Sequence, residues 1–337
     1  MTAYFRPLVH SGPTRPPHAI PLAGGWGWFT ELEVLRRDEP PEFVTASDVP
    51  AGVLKRLTDP RPAVAGLCFT RPLIMGILNT TPDSFSDGGA HVTQDQALVA
   101  VRTMGQADII DVGGESTRPG ALPVDTQEEI RRTEPVISAI RRDGWNGAIS
   151  IDTRKQEVAR AAHAAGATLV NDVSGFTHDP ALAPFCASRS LPVCVMHALG
   201  DPQTMQQNPT YDDVVLDVYD FLSSQIEALV ATGVRRDQII ADPGIGFGKT
   251  LDHNLTLLAN MSVFHGLGVP ILLGASRKRF IGTISGVEEA AARMPGSIAV
   301  ALAAVAQGVQ ILRVHDVPQT AQAIALWRAA VSGTVHD

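Results

Sequence analysis

Cysteine, aromatic side chains and basic charge are all scarce in this sequence. Its three cysteines, Cys68, Cys186 and Cys194, are odd in number and form no CxxC pair, which argues against a disulfide framework and against a zinc site. We expect all three to be buried, reduced thiols. Aromatic residues make up 5% of the chain, within an apolar total of 45%. Small aliphatic side chains must therefore fill the core, as in parallel strands covered by helices.

The sequence also lacks an excess of positive charge and any long apolar run. It has 35 acidic against 27 basic residues and a formal net charge of −8, so nothing supports a nucleic-acid or membrane-surface partner, which would require a basic face. No apolar run approaches the roughly 18–20 residues of a membrane span. The first residues are broken by prolines and lack the apolar region of a secretory signal. We therefore expect a cytoplasmic protein that acts on small molecules.

The chain divides near residue 72. Ten of its 24 prolines fall in residues 1–71, where the apolar periodicity is weak. We predict a partly ordered N-terminal extension at 1–71, in which the ELEVLRR run at 31–37 adds a short strand, and a catalytic domain at 72–337. The sequence assigns the extension no role.

From residue 72 onward, short apolar runs alternate with helical patterns such as Gln127–Arg142 and Asp213–Thr232, which is typical of repeated βα units. Eight such pairs predict an α/β fold of the (β/α)8 TIM barrel type. A doubly wound sheet is the alternative, but the GxGxxG turn of its dinucleotide-binding form is absent. The predicted strands are Leu73–Leu78, Ile109–Val112, Ile149–Ile151, Thr168–Asn171, Pro192–Met196, Ile239–Ala241, Pro270–Leu273 and Val309–Val314.

Polar residues gather just after these strands, at the end where barrels carry their active sites. Asp152, Asn171, Asp242 and Lys278 each end an apolar run. Two carboxylates, an amide and an ammonium suit the edge of a 2-amino-4-oxo pyrimidine, whose two N–H groups and carbonyl need acceptors and a donor. Alternatively, Asp152 caps the next helix and Asp242 forms an Asx-turn before Pro243.

Arg313 and His315 lie two residues apart on a strand, so both point to one side. Such a pair suits an anion clamp, and barrels often hold phosphate after their last two strands. The alternative is that Arg313 pairs with a carboxylate and that His315 is an ordinary hydrogen-bonded histidine. Asp316 is expected to cap the last helix.

The DPGIGFGKT run at 242–250 ends like a phosphate-binding P-loop, but Pro243 stands where that motif requires its first glycine. A P-loop is therefore excluded, and we expect Lys249 to be a surface or loop residue. Phe247 either lies over a ligand or anchors the loop. Two other connections, NTTPDSFSDGG at 79–89 and GGESTRPGA at 113–121, are too long for ordinary βα turns. We interpret them as lids, although glycine and proline turn chemistry is the alternative.

In order and spacing, LIMGILNTTPDSFSDGG, DIIDVGGESTRPGA, SIDTRK, VNDVSG, VCVMH, ADPGIGFGKT, LLGASRKRFIG and ILRVHDV resemble the dihydropteroate synthase family. The resemblance covers about residues 72–331. It implies a (β/α)8 barrel that condenses 6-hydroxymethyl-7,8-dihydropterin pyrophosphate with p-aminobenzoate, which gives 7,8-dihydropteroate and pyrophosphate. It also implies Mg2+, a homodimer formed through the last helices, and competitive inhibition by sulfonamides.

The same resemblance implies the roles of individual residues. Asp152, Arg313, His315 and Asn79 would be catalytic, with Asn79 as the Mg2+ ligand. The pterin would contact Asp152, Asn171, Met196, Asp242, Lys278 and Arg313. The pyrophosphate would contact Asn79, Thr117, Arg313 and His315, and p-aminobenzoate would contact Thr117, Arg118, Pro119, Phe247 and Ser276. Asp83, Phe85 and Asp87 would belong to the first flexible loop.

Two rival functions share this fold. A pterin-binding methyltransferase domain would need neither Mg2+ nor an anion clamp, and it would lack the paired TPDSF and STRPG loops. A non-catalytic pterin-binding paralogue would be expected to lose residues such as Asn79, Arg118, Lys278, Arg313 or His315, and all of these are present.

Overall fold

The first part of the chain forms small antiparallel sheets ahead of the main sheet. The computed structural model describes residues 2–81, 94–117, 120–200 and 204–335. The first elements are β1 (Tyr4–Pro7), β2 (Ile20–Pro21), β3 (Trp28–Phe29), β4 (Glu31–Leu35), β5 (Glu42–Thr45) and α1 (Ala51–Thr58). Strand β4 pairs with β1 and β5, and β2 pairs with β3. The ELEVLRR run thus contributes β4.

Polar contacts attach this N-terminal segment to the rest of the chain. Arg37 pairs with Asp217 and Asp220, at 2.7 and 2.8 Å. The Tyr4 hydroxyl also donates to Asp220, at 2.8 Å. The Trp26 indole donates to the carbonyl of Val305, at 2.9 Å. The segment therefore packs on the outside of the main fold, while the predicted boundary at residue 72 stays a prediction.

Eight parallel strands form the centre of the structure. They are β6 (Leu73–Asn79), β7 (Ile109–Gly113), β8 (Ala148–Asp152), β9 (Leu169–Asp172), β10 (Val193–Met196), β11 (Ile239–Asp242), β12 (Leu272–Leu273) and β13 (Ile311–Val314). Their order is β11-β10-β9-β8-β7-β6-β13-β12. A parallel bridge between Ala241 and Ile271 joins the two ends. The predicted (β/α)8 barrel is confirmed.

The connecting helices are α2 (Gln94–Thr103), α3 (Thr126–Arg142), α4 (Gln156–Ala165), α5 (Leu182–Ser188), α6 (Val214–Thr232), α7 (Leu251–Ala259), α8 (Arg279–Ser285), α9 (Met294–Ala306) and α10 (Val317–Ser332). The two helices predicted in detail, α3 and α6, begin and end within a residue of expectation. Their N-cap carboxylates, Asp125 and Asp213, accept backbone N–H groups of the first turn. Helix α6 ends at Gly233, whose φ of 105° favours glycine. None of the helices in the described ranges is long and apolar enough to cross a membrane.

The strands alternate between a helix-facing side and an inward side. The base of the barrel interior, at the amino ends of the strands, is a separate apolar cluster. It contains Leu73, Met75, Ile109, Ala148, Leu169, Cys194, Ile240, Leu272 and Ile311, with Val64 and Phe69 from the preceding turn. We call this cluster the base layer. It closes one end of the barrel with side chains that carry no charge.

The cysteine prediction was right for two of the three thiols. Cys186 and Cys194 are buried, whereas Cys68 is exposed. Cys68 lies in the short turn that carries Val64 and Phe69, and both of those neighbours are buried in the base layer. The turn therefore presents its apolar residues to the barrel and leaves Cys68 outside. The expectation of a buried thiol at Cys68 was wrong.

Candidate active site

The inward face of several strands changes from apolar to polar near the carboxyl ends. A residue two positions after an inward residue points inward as well, because side chains alternate along a strand. Asp111 follows Ile109 in this way, and Arg313 follows Ile311. The same alternation places further mouth residues on the inward face, namely Asp152, Asn171, Met196 and Asp242. We call these four residues, together with Asp111 and Arg313, the mouth layer.

Arg313 on β13 pairs with carboxylates on two other strands, β7 and β8. Its Nε lies 2.6 Å from Oδ2 of Asp111, and its Nη2 lies 2.6 Å from Oδ2 of Asp152. Burial opposes the guanidinium charge, but Asp111 and Asp152 outweigh it and raise the pKa of Arg313. The structure thus contains the alternative considered for Arg313, in which its guanidinium pairs with carboxylates. Its role as an anion clamp stays a prediction.

Asp152 keeps one carboxylate oxygen for a ligand. The predicted alternative, a helix cap, was wrong, because Lys155 holds the N-cap position of α4 and Asp152 pairs with Arg313. Among the described residues Oδ1 of Asp152 has no hydrogen-bond partner, although it is buried. Such an acceptor calls for a donor that the described residues do not supply. Burial, only partly offset by Arg313, raises the pKa of Asp152 to about 7.

Asn171 and Asp152 are neighbours in register on β9 and β8. The amide of Asn171 is buried and its Nδ2 lies 3.4 Å from Oδ2 of Asp111. Met196 and Asp242 are likewise in register on β10 and β11, and Met196 is buried beside the polar groups. The predicted pterin-edge residues on these four strands therefore share one mouth.

Asp242 forms the predicted Asx-turn, while its contact with the pterin stays a prediction. Its Oδ1 accepts the backbone N–H of Gly244 at 2.7 Å, which is the predicted Asx-turn. Its Oδ2 lies only 3.6 Å from the position that a Cβ would occupy at Gly274. Glycine there leaves open space in front of the second oxygen. Burial raises the pKa of this carboxyl, and the nearby Lys278 partly offsets that effect.

Lys278 lies across the DPGIGFGKT loop. Its Nζ donates to the carbonyl of Ile245 and lies 4.4 Å from the centre of the Phe247 ring. Burial lowers the pKa of Lys278 to about 7, because the partly compensating Asp242 does not restore the ordinary value. A cation over an aromatic face is a favourable contact. Lys278 and Phe247, predicted for different substrates, are therefore in contact.

His315 and Ser276 also form a direct pair. Nδ1 of His315 lies 3.0 Å from the Ser276 hydroxyl, and the backbone N–H of His315 donates to the same oxygen. The residue predicted for pyrophosphate thus touches a residue predicted for p-aminobenzoate. Asp316 starts α10 but its side chain makes no cap bond. It pairs instead with Arg277, so the predicted cap was wrong.

Asn79 faces a gap left by a glycine. Its Oδ1 and Oδ2 of Asp152 both lie 3.7 Å from the position that a Cβ would occupy at Gly113. The two oxygens therefore border the same small space. Within the described ranges no group of three or more His, Cys, Asp or Glu side chains could hold a metal ion. A cation at Asn79 would have to take most of its ligands from a substrate and water, as Mg2+ commonly does.

The second long connection is fixed at both ends. Glu115 accepts the backbone N–H of Val124 at 3.0 Å and pairs with Lys155. The Lys155 ammonium also donates to the carbonyl of Val124, at 2.6 Å. Thr117 is half-buried on this connection. The remaining predicted loop residues, Arg118, Pro119, Asp83, Phe85 and Asp87, lie outside the described residues.

Lys249 was expected to be a surface or loop residue. It lies in a loop but is buried: it stands between β11 and α7 and is only 3% exposed. Its ammonium contacts three backbone carbonyls and the ring of His197. Phe247, two residues earlier, is half-buried and lines a cavity of about 360 Å³ together with Arg154, Val173 and Met205.

Sequence reasoning missed Asp111 as a site residue. Its carboxylate is completely buried and pairs with Arg313. The signal was present, because a charged residue between Ile110 and Val112 inside a buried strand needs a partner. The DIIDV run was counted only as a strand.

The chain is similar to a set of characterised proteins. Residues 75–315 match the family described as pterin binding enzyme. The chain is 44% identical over 270 residues to the dihydropteroate synthase of Escherichia coli (strain K12), which covers 79% of this chain and 94% of that protein. It is 47% identical over 264 residues to that of Synechocystis sp., which covers 77% and 91%.

Solved structures agree with these relatives. A Xanthomonas albilineans dihydropteroate synthase with 4-aminobenzoic acid has a TM-score of 0.75 and 44% identity, and covers 81% of this chain and 98% of that chain. A Yersinia pestis dihydropteroate synthase with a sulfonamide drug complex has a TM-score of 0.75 and 43% identity, and covers 80% and 98%. The chain therefore belongs to the pterin-binding enzymes and, among them, to the dihydropteroate synthases.

Proposed function

We propose that this chain condenses 6-hydroxymethyl-7,8-dihydropterin pyrophosphate with p-aminobenzoate to give 7,8-dihydropteroate and pyrophosphate. One observation carries the proposal: the buried Asp152 has an oxygen, beside Asn171, that no described residue hydrogen-bonds, in a mouth that also contains Asp242 and Lys278. A pterin edge offers two N–H donors and a carbonyl, and these groups match the carboxylates and the ammonium. The relatives named above are dihydropteroate synthases, which weighs against a methyltransferase.

The mouth also suits the departure of pyrophosphate. Arg313 lies on the strand of this mouth that leads to His315, so both groups can face the leaving group. As the bond from the pterin methylene to oxygen breaks, negative charge grows on pyrophosphate and positive charge remains on the pterin. Cationic side chains stabilise the first, and the carboxylate of Asp152 stabilises the second. The amine nitrogen of p-aminobenzoate then attacks the methylene and loses a proton.

We assign the p-aminobenzoate side to Thr117, Phe247 and Ser276. The hydroxyl of Ser276 lies against His315, and the ring of Phe247 lies under Lys278. Both contacts place these side chains next to the groups assigned to the other substrate. A related Xanthomonas albilineans enzyme has been solved with 7,8-dihydropteroate, and the Yersinia pestis enzyme with a sulfonamide. Competition between sulfonamides and p-aminobenzoate is therefore expected here.

We propose Asn79 as the protein ligand of Mg2+. Its amide oxygen is a hard donor and borders, with Asp152, the space left by Gly113. Mg2+ bound there would neutralise charge on the departing pyrophosphate. Arg118, Pro119, Asp83, Phe85 and Asp87 are assigned to the loops over the substrates on the resemblance alone.

We further propose that the enzyme works in the cytoplasm as a homodimer formed through its last helices. Leu326 on α10 is 65% exposed, so this helix offers an apolar side chain to a partner subunit. Sedimentation velocity of the purified chain tests this assignment. Leu326→Glu should shift the chain toward a monomer, and an unchanged dimer would exclude this helix from the interface.

The function is tested by incubating the purified chain with the pterin pyrophosphate, p-aminobenzoate and Mg2+. Pyrophosphate and 7,8-dihydropteroate should appear in equal amounts, and neither should form without p-aminobenzoate. Asp152→Asn, which keeps the shape of the side chain, is the matched inactive control. If no pyrophosphate formed above background, the proposed function would be wrong.

A further inference from the structure

The Lys249 ammonium is buried among neutral acceptors. This burial lowers the pKa of Lys249 well below its ordinary value, and the amine keeps N–H donors in either protonation state. Its Nζ lies 2.9 Å from the carbonyl oxygen of Gly244, 3.0 Å from that of Phe247 and 3.4 Å from that of His197. A fourth contact, at 2.8 Å, is to Nδ1 of the His197 ring. None of these acceptors carries a charge. The amine therefore has acceptors for all its N–H groups, and within the described ranges none of them is the carboxylate partner that buried lysines usually need.

His197 is suited to accept this bond. The ring is 4% exposed and stands edge-on to Phe221, with ring centres 4.9 Å apart. Burial, and then the nearby Lys249, lower the pKa of His197 to about 2. The imidazole is therefore neutral at physiological pH, and its Nδ1 can accept a hydrogen bond from Lys249 while Nε2 carries the ring hydrogen.

The contacts of Lys249 join two loops that approach backbone to backbone. His197 follows β10, and Gly244 and Phe247 follow β11. A Cβ at Gly244 would lie 1.9 Å from the carbonyl oxygen of His197, and one at Gly248 would lie 2.5 Å from the side chain of Leu199. Gly244 and Gly248 also have φ values of 69° and 63°. Only glycine allows this close approach.

The approach turns three carbonyl oxygens toward one point, where their dipoles repel one another. A donor at that point removes the repulsion, and Lys249 supplies it. The same loop carries Phe247, whose ring lies beneath the Lys278 ammonium, and Ile245, whose carbonyl accepts from that ammonium. Lys278 itself stands at the N-cap of α8 and not on this loop. Displacing the loop would therefore move the aromatic wall and leave the backbone that carries Lys278 in place.

We propose that Lys249 is a positioning residue, which fixes the loop after β11 against the loop after β10 and thereby sets Phe247 for p-aminobenzoate. The proposal rests on the proposed function for the identity of the ligand. Lys249 is not a catalytic residue in this account, because its ammonium is enclosed by protein carbonyls and by His197. Its effect on the reaction passes through Phe247.

Lys249→Met tests the proposal, because methionine has a similar length but no N–H donor. We expect the KM for p-aminobenzoate to rise about ten-fold, as misplacement of a binding wall does. The KM for the pterin pyrophosphate should change less than about two-fold, since Asp152 and Asn171 lie on other strands. Phe69→Leu in the base layer is the matched control, since it removes packing far from the loop.

Amide hydrogen exchange without any substrate separates this proposal from the proposed function. In Lys249→Met, peptides that span 243–250 should exchange about ten-fold faster, while peptides of β7 and β8 should not change. Unchanged exchange in 243–250 overturns the proposal even if the wild-type chain is an active synthase. Faster exchange supports the loop-fixing role even if the wild-type chain shows no turnover.

A second variant keeps the test valid if Lys249→Met fails to fold. Lys249→Gln retains two N–H donors on a shorter stem, so it should raise the KM for p-aminobenzoate about three-fold. An unchanged KM in the folded Gln variant, with unchanged exchange in 243–250, overturns the proposal. Equal rises in both substrate KM values would also overturn it, because they would indicate general loosening of the mouth.

Discussion

The two ends of the barrel interior are made by the same strands but from different kinds of side chain. At the base, Ile109 and Ile311 belong to an apolar cluster completed by Val64 and Phe69. At the next inward position of the same strands, two residues later, Asp111 follows Ile109 and Arg313 follows Ile311. The change from hydrocarbon to buried charge takes place within about 7 Å of strand.

The two layers therefore have different energetic roles. Burial of the base layer stabilises the fold by removing apolar surface from water. The mouth layer encloses Asp111, Asp152 and Arg313, and buried ion pairs contribute little net stability because desolvation opposes their attraction. The comparison teaches that the base holds the barrel together, whereas the mouth keeps costly charges in place for substrate.

The largest effect is expected from Arg313→Met. It removes the only described cation that hydrogen-bonds both Asp111 and Asp152, so turnover should fall about 10³-fold. Stability should fall by about 3–5 kcal/mol, because two buried carboxylates lose their partner. Steady-state kinetics and urea denaturation measure the two effects.

A second substitution sharpens this test. Adding Asp111→Asn to Arg313→Met removes one of the stranded charges, so it should restore part of the lost stability but none of the lost turnover. Wild-type kinetics in Arg313→Met would contradict the role of this residue in the mouth. Full recovery of turnover in the double variant would do the same.

Phe69→Ala tests the other end of the barrel. Phe69 is almost fully buried in the base layer, so its truncation should cost about 3–5 kcal/mol in urea denaturation. The folded molecules should keep their KM values for both substrates. If either KM rose about ten-fold, the base and the mouth would not be separable.

Activity should depend on pH through Asp152 in the mouth layer and through the neighbouring Lys278. Burial raises the pKa of Asp152 to about 7, and burial lowers the pKa of Lys278 to about 7. Pterin binding needs the carboxylate ionised and the ammonium protonated, so kcat/KM should have a narrow optimum near pH 7. Lys278→Arg should flatten the alkaline side of that profile. An identical alkaline side in the variant would show that Lys278 is not the group that titrates there.

The smallest effect is expected from Asp172, which follows Asn171 but faces away from the mouth. Its carboxylate accepts bonds from Ser174 and Phe176, and burial raises its pKa to about 6. Between the unfolded pKa of 3.8 and about 6 the native state holds more protons, so stability from this group should fall as pH rises through that window. Asp172→Asn should flatten the dependence measured by urea denaturation. A loss of turnover larger than the unfolded fraction of Asp172→Asn explains would contradict the assignment of Asp172 to the side of β9 that faces away from the mouth.

Much of this architecture could be predicted from local sequence. Apolar runs located all eight strands, and the helical patterns located α3 and α6 within a residue. The polar residues after the strands identified Asp152, Asn171 and Asp242 as neighbours, because the carboxyl ends of barrel strands meet at one face. These features depend on short stretches of chain, where alternation and capping are visible.

The features that could not be predicted from the sequence depend on contacts between segments that are distant along the chain. Arg313 and Asp111 are 202 positions apart, and alternation predicts that each points inward without showing that they pair. Lys249 sits next to the Thr250 cap of α7, which made it resemble an ordinary loop residue. Its burial results from the approach of the loop that contains His197, and no local pattern records that approach.

The central claim is that the mouth layer, and not the base layer, recognises the pterin. Calorimetric titration of the pterin pyrophosphate into Asp152→Asn and into Phe69→Leu, at pH 7 with Mg2+, tests it most directly. The account predicts that Asp152→Asn weakens binding by about 10²-fold, since the amide carries no negative charge and puts an N–H donor where the carboxylate has an acceptor. It predicts a wild-type Kd for Phe69→Leu. Equal Kd values for Asp152→Asn and the wild-type chain would contradict it.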